Sequence, residues 1–599
     1  MIYISELKAI TIDKFLGVNK SATETQLELG EASNMSNWLI SDDSKLSKMF
    51  GYASLFASLG GYSVTGGWFG SLLGVSHFVF TCGGHAYEQN LTTHVNTDLG
   101  VIADANPTVI FPNNNIVYIM DGTNYYKWTG TGVISVVAGY APIIATASAP
   151  TGGGTLLEGI NAINGKKGQK FSGNNVATVY QLLETNIDSV NSVTLNGVTL
   201  VSGVDYTSQL AAGTITFVVK PPIGVNNVFP YWTKTTTGDR QSIISCKFYG
   251  GVYYSRLWFY GNPLHKNTRY QTGITMNGVS DPEYFPKFTD SDVGEYEITA
   301  IVTQYDKQLI FTSGDSSEAS AWYSMNENYT DANSGIVTTI FPVFPMNSKI
   351  GNIAPGQVQI IMNNPFTLWK GVYEWVSTYV QNEKNAAWKS KRIQTDLDQL
   401  DLSKALTIDW NERGLYLLCV GQRVWVYNYR VDAWYVLNLP HVPTIFLAVD
   451  GKLCFGTTNG QIMQFDETRA TFDGLEIIAD WEMGYYNFGV EWLRKFILRM
   501  FITILPYTST HVDIYVSTDR NAAFQLVGTV SYGLSGFDTW DFDTFSFETN
   551  YSPQPLKKKL RAKKIDYLKI KLVCGGTDTA TVLSITLPVR TGGEIKNRS

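Results

Sequence analysis

At 599 residues the chain is too long for one ordinary hydrophobic core, and it predicts several domains or one large repeat architecture with insertions. Charged residues make up only 16%, aromatics reach 13%, and Gly outnumbers Pro by 54 to 20, a balance that points to an all-β protein rich in turns. The net charge of −7 argues against general, sequence-independent nucleic-acid binding, which needs clustered cations, while permitting a duct through which DNA slides without sticking.

So few charges also imply that much of the surface is buried against neighbours, because interface cores lose charged residues. The first residues, "MIYISELKAI", lack the basic start and apolar core of a signal peptide. No run approaches the roughly 18 apolar residues of a membrane helix, so a soluble chain made in the cytosol is expected.

Taken in chain order, "LELGEASNMSNWLISDDSKLSKMFGY" (27–52) reads as a hairpin-like opening: a Gly-Glu turn, an Asn-bearing stretch ending at Trp38, then a Lys-bearing strand. From there a strand–turn–strand unit recurs, first as "HFVFTCGGHAYEQN" (77–90) and "NIVYIMDGTNYYKWTG" (115–130). It returns at 250–272, 306–325 and 366–378, and finally as "RVWVYNYRVDAWYVLNLP" (423–440) and "GKLCFGTTNGQIMQFD" (451–466). The turns carry Gly, Asn or Asp, which tolerate positive φ. Spacings drift from about 38 to roughly 50–60 residues, as irregular propeller blades with loop insertions would. Blades must stack radially to bury both faces, and an ordinary sandwich needs no six or seven hairpins in series.

Two stretches break the series. "TASAPTGGGTLLEGINAINGKKGQ" (146–169) has the small-residue, turn-rich character of a domain junction. "VNSVTLNGVTLVSGVDYTSQLAAGTITFVVKPP" (190–222) then alternates apolar and polar residues around an Asn196–Gly197 hairpin tip. The expected fold is therefore an all-β, irregular β-propeller with an inserted small β module and a C-terminal β-sandwich-like domain. The expected boundaries are 1–150 for the N-terminal strands and first blades, 151–240 for the module, 241–470 for the remaining blades and 471–599 for the sandwich. The last rests on "EWLRKFILRMFITIL" (491–505), "VDIYVSTDR" (512–520), "YLKIKLVCGG" (567–576) and "ATVLSITLPVR" (580–590). Helix is scarce: 386–406 has a weak 3.6-residue rhythm and fits an extended chain equally.

Five cysteines without paired spacing, most of them in apolar runs, read as small buried hydrophobes rather than a disulfide framework. No two of the six histidines have helix-borne metal-ligand spacing, although His77 and His85 could face each other across one hairpin. No nucleophile elbow, phosphate loop or dinucleotide fingerprint is present. Acids cluster as Asp396, Asp398 and Asp401, and as Asp538, Asp541 and Asp543; near-alternate acids on one strand read as a solvated edge before a catalytic pair or a calcium site. No catalytic residue, metal or cofactor is assigned. The one strong charge run is "LKKKLRAKK" (556–564), with Lys557, Lys558, Lys559, Arg561, Lys563 and Lys564; it is expected to begin on a loop and to meet phosphate, anionic glycan or an acidic partner, unless it is simply solvated.

Three pieces, in this order, resemble the tail nozzle (tail tubular protein B, or tail hub) family of short-tailed bacteriophages. They are "LGEASNMSNW" within 27–38, "VTLNGVTL…DY…GTITF" within 190–217, and "VWVYN…W…GKLCFGTTNGQI" over 424–462. The resemblance implies an irregular propeller with added β domains, assembled as a hexameric ring around the channel that retains and ejects the DNA genome. It implies a portal or adaptor above, tail fibres or tail-tip proteins as partners, a place in the virion after synthesis in the host cytoplasm, and no enzymatic residues. The rival reading is a carbohydrate-binding or glycan-degrading propeller, serving as a receptor-recognition or depolymerase protein.

Overall fold

A computed structural model describes residues 7–103, 106–157, 160–235, 237–274, 278–286, 289–315, 318–330, 337–376, 385–505, 509–519, 521–533 and 553–594. The chain divides into two compact units, one centred on Thr65–Gly356 and one built from the residues up to Val64, Gln357–Thr378 and Lys384 onward.

The Thr65–Gly356 unit holds four up-and-down sheets of four strands, each in chain order. Blade 1 runs from Val64–Leu72 through Val75–Cys82 and His85–Gln89 to Asn96–Val101, and blade 2 from Val109–Asn113 to Ser135–Val136. Blade 3 comprises Phe248–Tyr253, Arg256–Tyr260, Thr268–Gln271 and Asp290–Asp292. Blade 4 comprises Ile298–Gln304, Lys307–Thr312, Ala321–Ser324 and Val343–Asn347, with a hairpin of Glu327–Thr330 and Val337–Ile340 inserted before its last strand. The second unit adds blade 5 (Gln359–Ile361 to Ala386–Trp388), blade 6 (Leu406–Trp410 to Ala433–Asn438) and blade 7 (Pro443–Val449, Lys452–Thr457 and Ile462–Phe465). The described residues of every recurring hairpin read from the sequence fall within or beside the strands of one of these sheets. The fold is all-β and propeller-like.

The reason lies in turns and burial. Asn114 and Asn115, and Asp450 and Gly451, all take positive φ, the two-residue hairpin geometry that matches strand twist. In blade 6 the three strands from Leu415 to Asn438 are buried at nearly every position, because each sheet is covered on both faces. Trp425 and Trp434 are accordingly core residues; the Trp434 indole also donates to the Lys389 carbonyl at 3.0 Å.

Blade 7 takes its fourth strand from the other end of the chain: Tyr52–Ser54 pairs antiparallel with Ile462–Phe465. Tyr52 stacks on Phe472 with ring centroids 4.7 Å apart and meets Phe455 and Phe465 edge-on. Just before this strand, a Cβ added at Gly51 would lie 1.9 Å from the Thr471 carbonyl oxygen, so only Gly allows the approach. Gly51→Ala is expected to destabilise the second unit by about 3 kcal/mol; faster hydrogen exchange in the 50–56 and 462–476 peptides would report it.

The inserted module spans Ile143–Ser148 to Gly224–Thr233. A six-stranded sheet containing Lys166–Gly173, Gly224–Thr233 and Ser189–Leu195 faces a three-stranded sheet of Val179–Gln181, Thr214–Phe217 and Tyr206–Gln209. Phe171, Tyr180, Val193, Ile215, Phe217 and Trp232 form the core between them, so the module has its own hydrophobic interior.

The C-terminal β structure does not stand on residues 471–599 alone, as the sequence led one to expect. Leu7–Ile12 and Leu46–Lys48 both pair with Thr581–Glu594, and Glu31–Ser36 pairs with Ala479–Met483. Two six-stranded sheets result, each built from both ends of the chain. Lys48 secures the join by donating from its ammonium to the carbonyls of Gly575, Gly576 and Asp578 at 3.1, 2.9 and 2.8 Å. Residues 386–406 are a short strand followed by brief helical turns from Lys391 to Lys404, which settles that stretch as mixed.

Candidate interaction surface

The basic run does not begin on a loop but is strand throughout: Gln554–Ile565 pairs with Leu493–Leu505 and, among the described residues, forms the edge of its sheet. The strand has a simple cause. Leu560, Ala562 and Ile565 are apolar and buried, which fixes one face inward and sends the intervening cations outward. Lys557, Lys559, Arg561, Lys563 and Lys564 are exposed, whereas Lys558 is half-buried and donates to the Thr529 carbonyl at 2.5 Å. Arg561 and Lys564 take positive φ where the register shifts against the neighbouring strand. Among the described residues, no ion pair engages these side chains. The result is a stripe of cations on an edge strand, roughly 20 Å long at ordinary strand rise.

Such a stripe guards an edge against unwanted strand pairing, and it presents a row of charge to any polyanion. Replacing Lys557, Lys559, Arg561 and Lys563 with Gln is expected to lower the salt concentration that elutes the protein from heparin. Each change should alter stability by no more than about 0.5 kcal/mol, because the side chains are exposed.

The other sequence candidates are dispersed. His77 lies 2.6 Å from Glu88 and His85 lies 2.9 Å from Asp98. The two histidines do not face each other: Cys82 is opposite His85, at the far end of the hairpin from His77. Asp396, Asp398 and Asp401 are on helical turns rather than one strand. Asp396 pairs with Arg423 at 2.9 Å, Asp398 accepts from Gln394, and Asp401 caps the turn by accepting from Ser403. Asp538, Asp541 and Asp543 lie outside the described residues. All five cysteines are buried, and burial pushes the Cys574 thiol up to about 11 and those of Cys419 and Cys454 up to about 12.

Three charged sites were not singled out in the sequence. In the second unit a cleft of about 690 Å³ is lined by Asp42, Glu412, Arg413, Arg430, Tyr435 and Glu467 among others. Its charges answer one another, Arg430 with Asp42 at 2.8 Å and Arg413 with Glu467. Lys569 and Lys571 meet Glu482 and Asp480 on the adjacent strand and Glu24 on a turn: Lys569 is 2.5 Å from Glu482 and 2.9 Å from Glu24, and Lys571 pairs with Asp480. Burial pulls the Lys569 pKa down, but the hydrogen bonds it donates to Glu482 and Glu24 outweigh it and hold the pKa above the ordinary lysine value. Burial raises the Asp480 carboxyl despite Lys571. The complementary alternation of "ADWEM" (479–483) and "YLKIKL" (567–572) was the available signal. The third site is Arg269, fully buried in blade 3, a lone cation in the run "NTRYQT".

A scan against protein-family models finds no match, and a search of curated proteins finds none. Among solved structures, the chain is similar to a chain of the mitotic checkpoint complex at 8% identity, covering 65% of this chain and 84% of that one, with a TM-score of 0.31. It is also similar to BamB from Moraxella catarrhalis at 10% identity, covering 77% and 97%, with a TM-score of 0.30. Hsv2 from Kluyveromyces lactis follows at 9% identity, 63% and 97% coverage and a TM-score of 0.23. Likenesses this weak carry no argument about function. The four-stranded sheets themselves define the chain as an all-β, propeller-type protein.

Proposed function

We propose that the chain is a structural, non-enzymatic subunit of a short-tailed phage particle, resembling the tail nozzle. Copies form a ring, hexameric by the resemblance, below the portal or adaptor, and the DNA genome is held above and ejected through its channel. The observation that supports this best is the order of parts. A series of irregular propeller blades is interrupted after the second by an independent two-sheet module, and β structure made from both chain ends follows the last blade. This is the arrangement the three sequence pieces imply, and each piece falls on a regular element: the strand Glu31–Ser36, the module, and blades 6 and 7.

The basic edge strand is a contact surface toward an anionic partner, such as a tail fibre, a tail-tip protein or the cell envelope. The mildly acidic balance of the whole chain suits a channel that does not grip DNA. The reading predicts that the purified protein releases no reducing sugar from cell-wall polysaccharide. A discrete monomer that does so would instead identify a glycan-degrading propeller.

A further inference from the structure

The inserted module carries an unusual end. The hydrogen-bond pattern gathers the N-terminal end of Val179–Gln181, the C-terminal end of Thr214–Phe217 and the N-terminal end of Tyr206–Gln209 at one end of the small sheet. Phe217 N–H donates to Thr178 O, Val218 N–H to Asp205 O, and Asn175 N–H to Pro221 O. The C-terminal end of Lys166–Gly173 and the N-terminal end of Gly224–Thr233 meet at the same place, with Gly173 opposite Gly224. Lys166 and Thr233, where the large sheet connects to the rest of the unit, pair at the opposite end. The gathered loops are therefore the module's distal tip.

That tip is apolar and solvent-facing. Val219, Ile223 and Val225 are 77%, 80% and 81% exposed, and Val176, Val204 and Val218 are 70%, 66% and 66% exposed. In 172–181 and 196–227 together, Asp205 and Lys220 are the only charged residues, and Asp205 is engaged by the Val201 N–H at 2.7 Å. A contiguous apolar patch on a monomer rarely exceeds about 300–600 Å². The exposure of these side chains is of the order of the roughly 800 Å² that one partner contributes to a standard interface. β-Branched side chains are already stiff, so little rotamer freedom is lost when they dock.

We propose that the valine-rich tip of the inserted module is an interface that seats against a second copy of this chain; the proposal rests on the ring reading above. Its scarcity of charge disfavours a polyanion or an anionic lipid surface, both of which recruit Lys and Arg. Its tyrosines, Tyr180 and Tyr206, are buried, so it exposes none of the Trp and Tyr that anchor proteins at a bilayer interface. A second copy fits the area, and the chain's charged content of 16% is that of a subunit that hides surface against its neighbours.

The test is the mass distribution of the intact chain, measured by sedimentation velocity across a concentration series, for wild type and for a Val219→Asp/Ile223→Asp double variant. Leu264→Asp, at a site 82% exposed outside the module, serves as the control, and circular dichroism checks that each variant folds. The wild type and the control are expected to assemble, while the double variant shifts dissociation by about tenfold or more, as a buried unpaired charge at a central contact would. Assembly of the double variant at wild-type concentrations overturns this assignment and leaves the ring reading standing. A monomeric wild type overturns both. Co-flotation of a monomeric wild type with neutral phosphatidylcholine vesicles, abolished in the double variant, would assign the tip to a membrane instead.

Discussion

Arg269→Ala is expected to lower the stability of the Thr65–Gly356 unit by about 3–5 kcal/mol, the loss typical of removing one partner from a buried charged network. Arg269 sits on blade 3 with no exposed surface, and its guanidinium binds neutral acceptors. It donates to Ser291 Oγ at 2.7 Å on the adjacent strand, to Gln308 Oε1 and Ser324 Oγ on blade 4, and to the Phe341 carbonyl at 2.7 Å. The group also lies over the Trp258 ring, 4.5 Å from its centroid. Burial presses its pKa down to about 9, the mark of a charge taken from water. The fan of acceptors offsets that desolvation, so Ala leaves both a void and orphaned acceptors between two blades. Arg269→Lys keeps the charge but loses the planar fork, and should fall between wild type and Ala. Hydrogen exchange of the full chain should show the loss in peptides covering 256–272 and 307–324. Unchanged protection there would show that the two blades do not depend on this residue.

Lys569→Met should cost the second unit about 3 kcal/mol, because it takes the close cation from Glu482, only 15% exposed, and leaves it Lys571 at 4.0 Å. Glu24→Gln is the informative contrast: that carboxylate is 49% exposed, and its loss should cost less than about 1 kcal/mol. The pH dependence has a definite sign. Because the folded pKa of Lys569 lies above the ordinary 10.5, its contribution is complete below that value and is lost as pH climbs through the higher folded pKa. Denaturant midpoints should therefore separate wild type from Lys569→Met at neutral pH and converge under strongly alkaline conditions.

The blades were legible because each contains a hairpin with its own turn chemistry, as in Asn114–Asn115 and Asp450–Gly451. Blade 3 shows the limit: its first hairpin turns through Tyr254 and Ser255, both at positive φ, a conformation those residue types do not advertise. Strand pairings across the length of the chain were hidden as well. Nothing local in "YAS" says that Tyr52 pairs with Phe465, since that register is set by tertiary packing. The basic run is visible as charge, but its expected start on a loop did not follow, because Leu560, Ala562 and Ile565 are too few among the cations to advertise a buried strand face. The module's tip was visible only as alternating valines. Which valines a second sheet covers depends on how Phe171, Tyr180 and Trp232 fill the space between the sheets.

The most direct test of the proposed role is electron microscopy of the purified 599-residue chain, with particle mass measured on the same sample. The ring reading predicts closed rings with an open centre and a mass that is a whole-number multiple of the chain. Isolated single-chain particles at concentrations well above those used on the grid would contradict it.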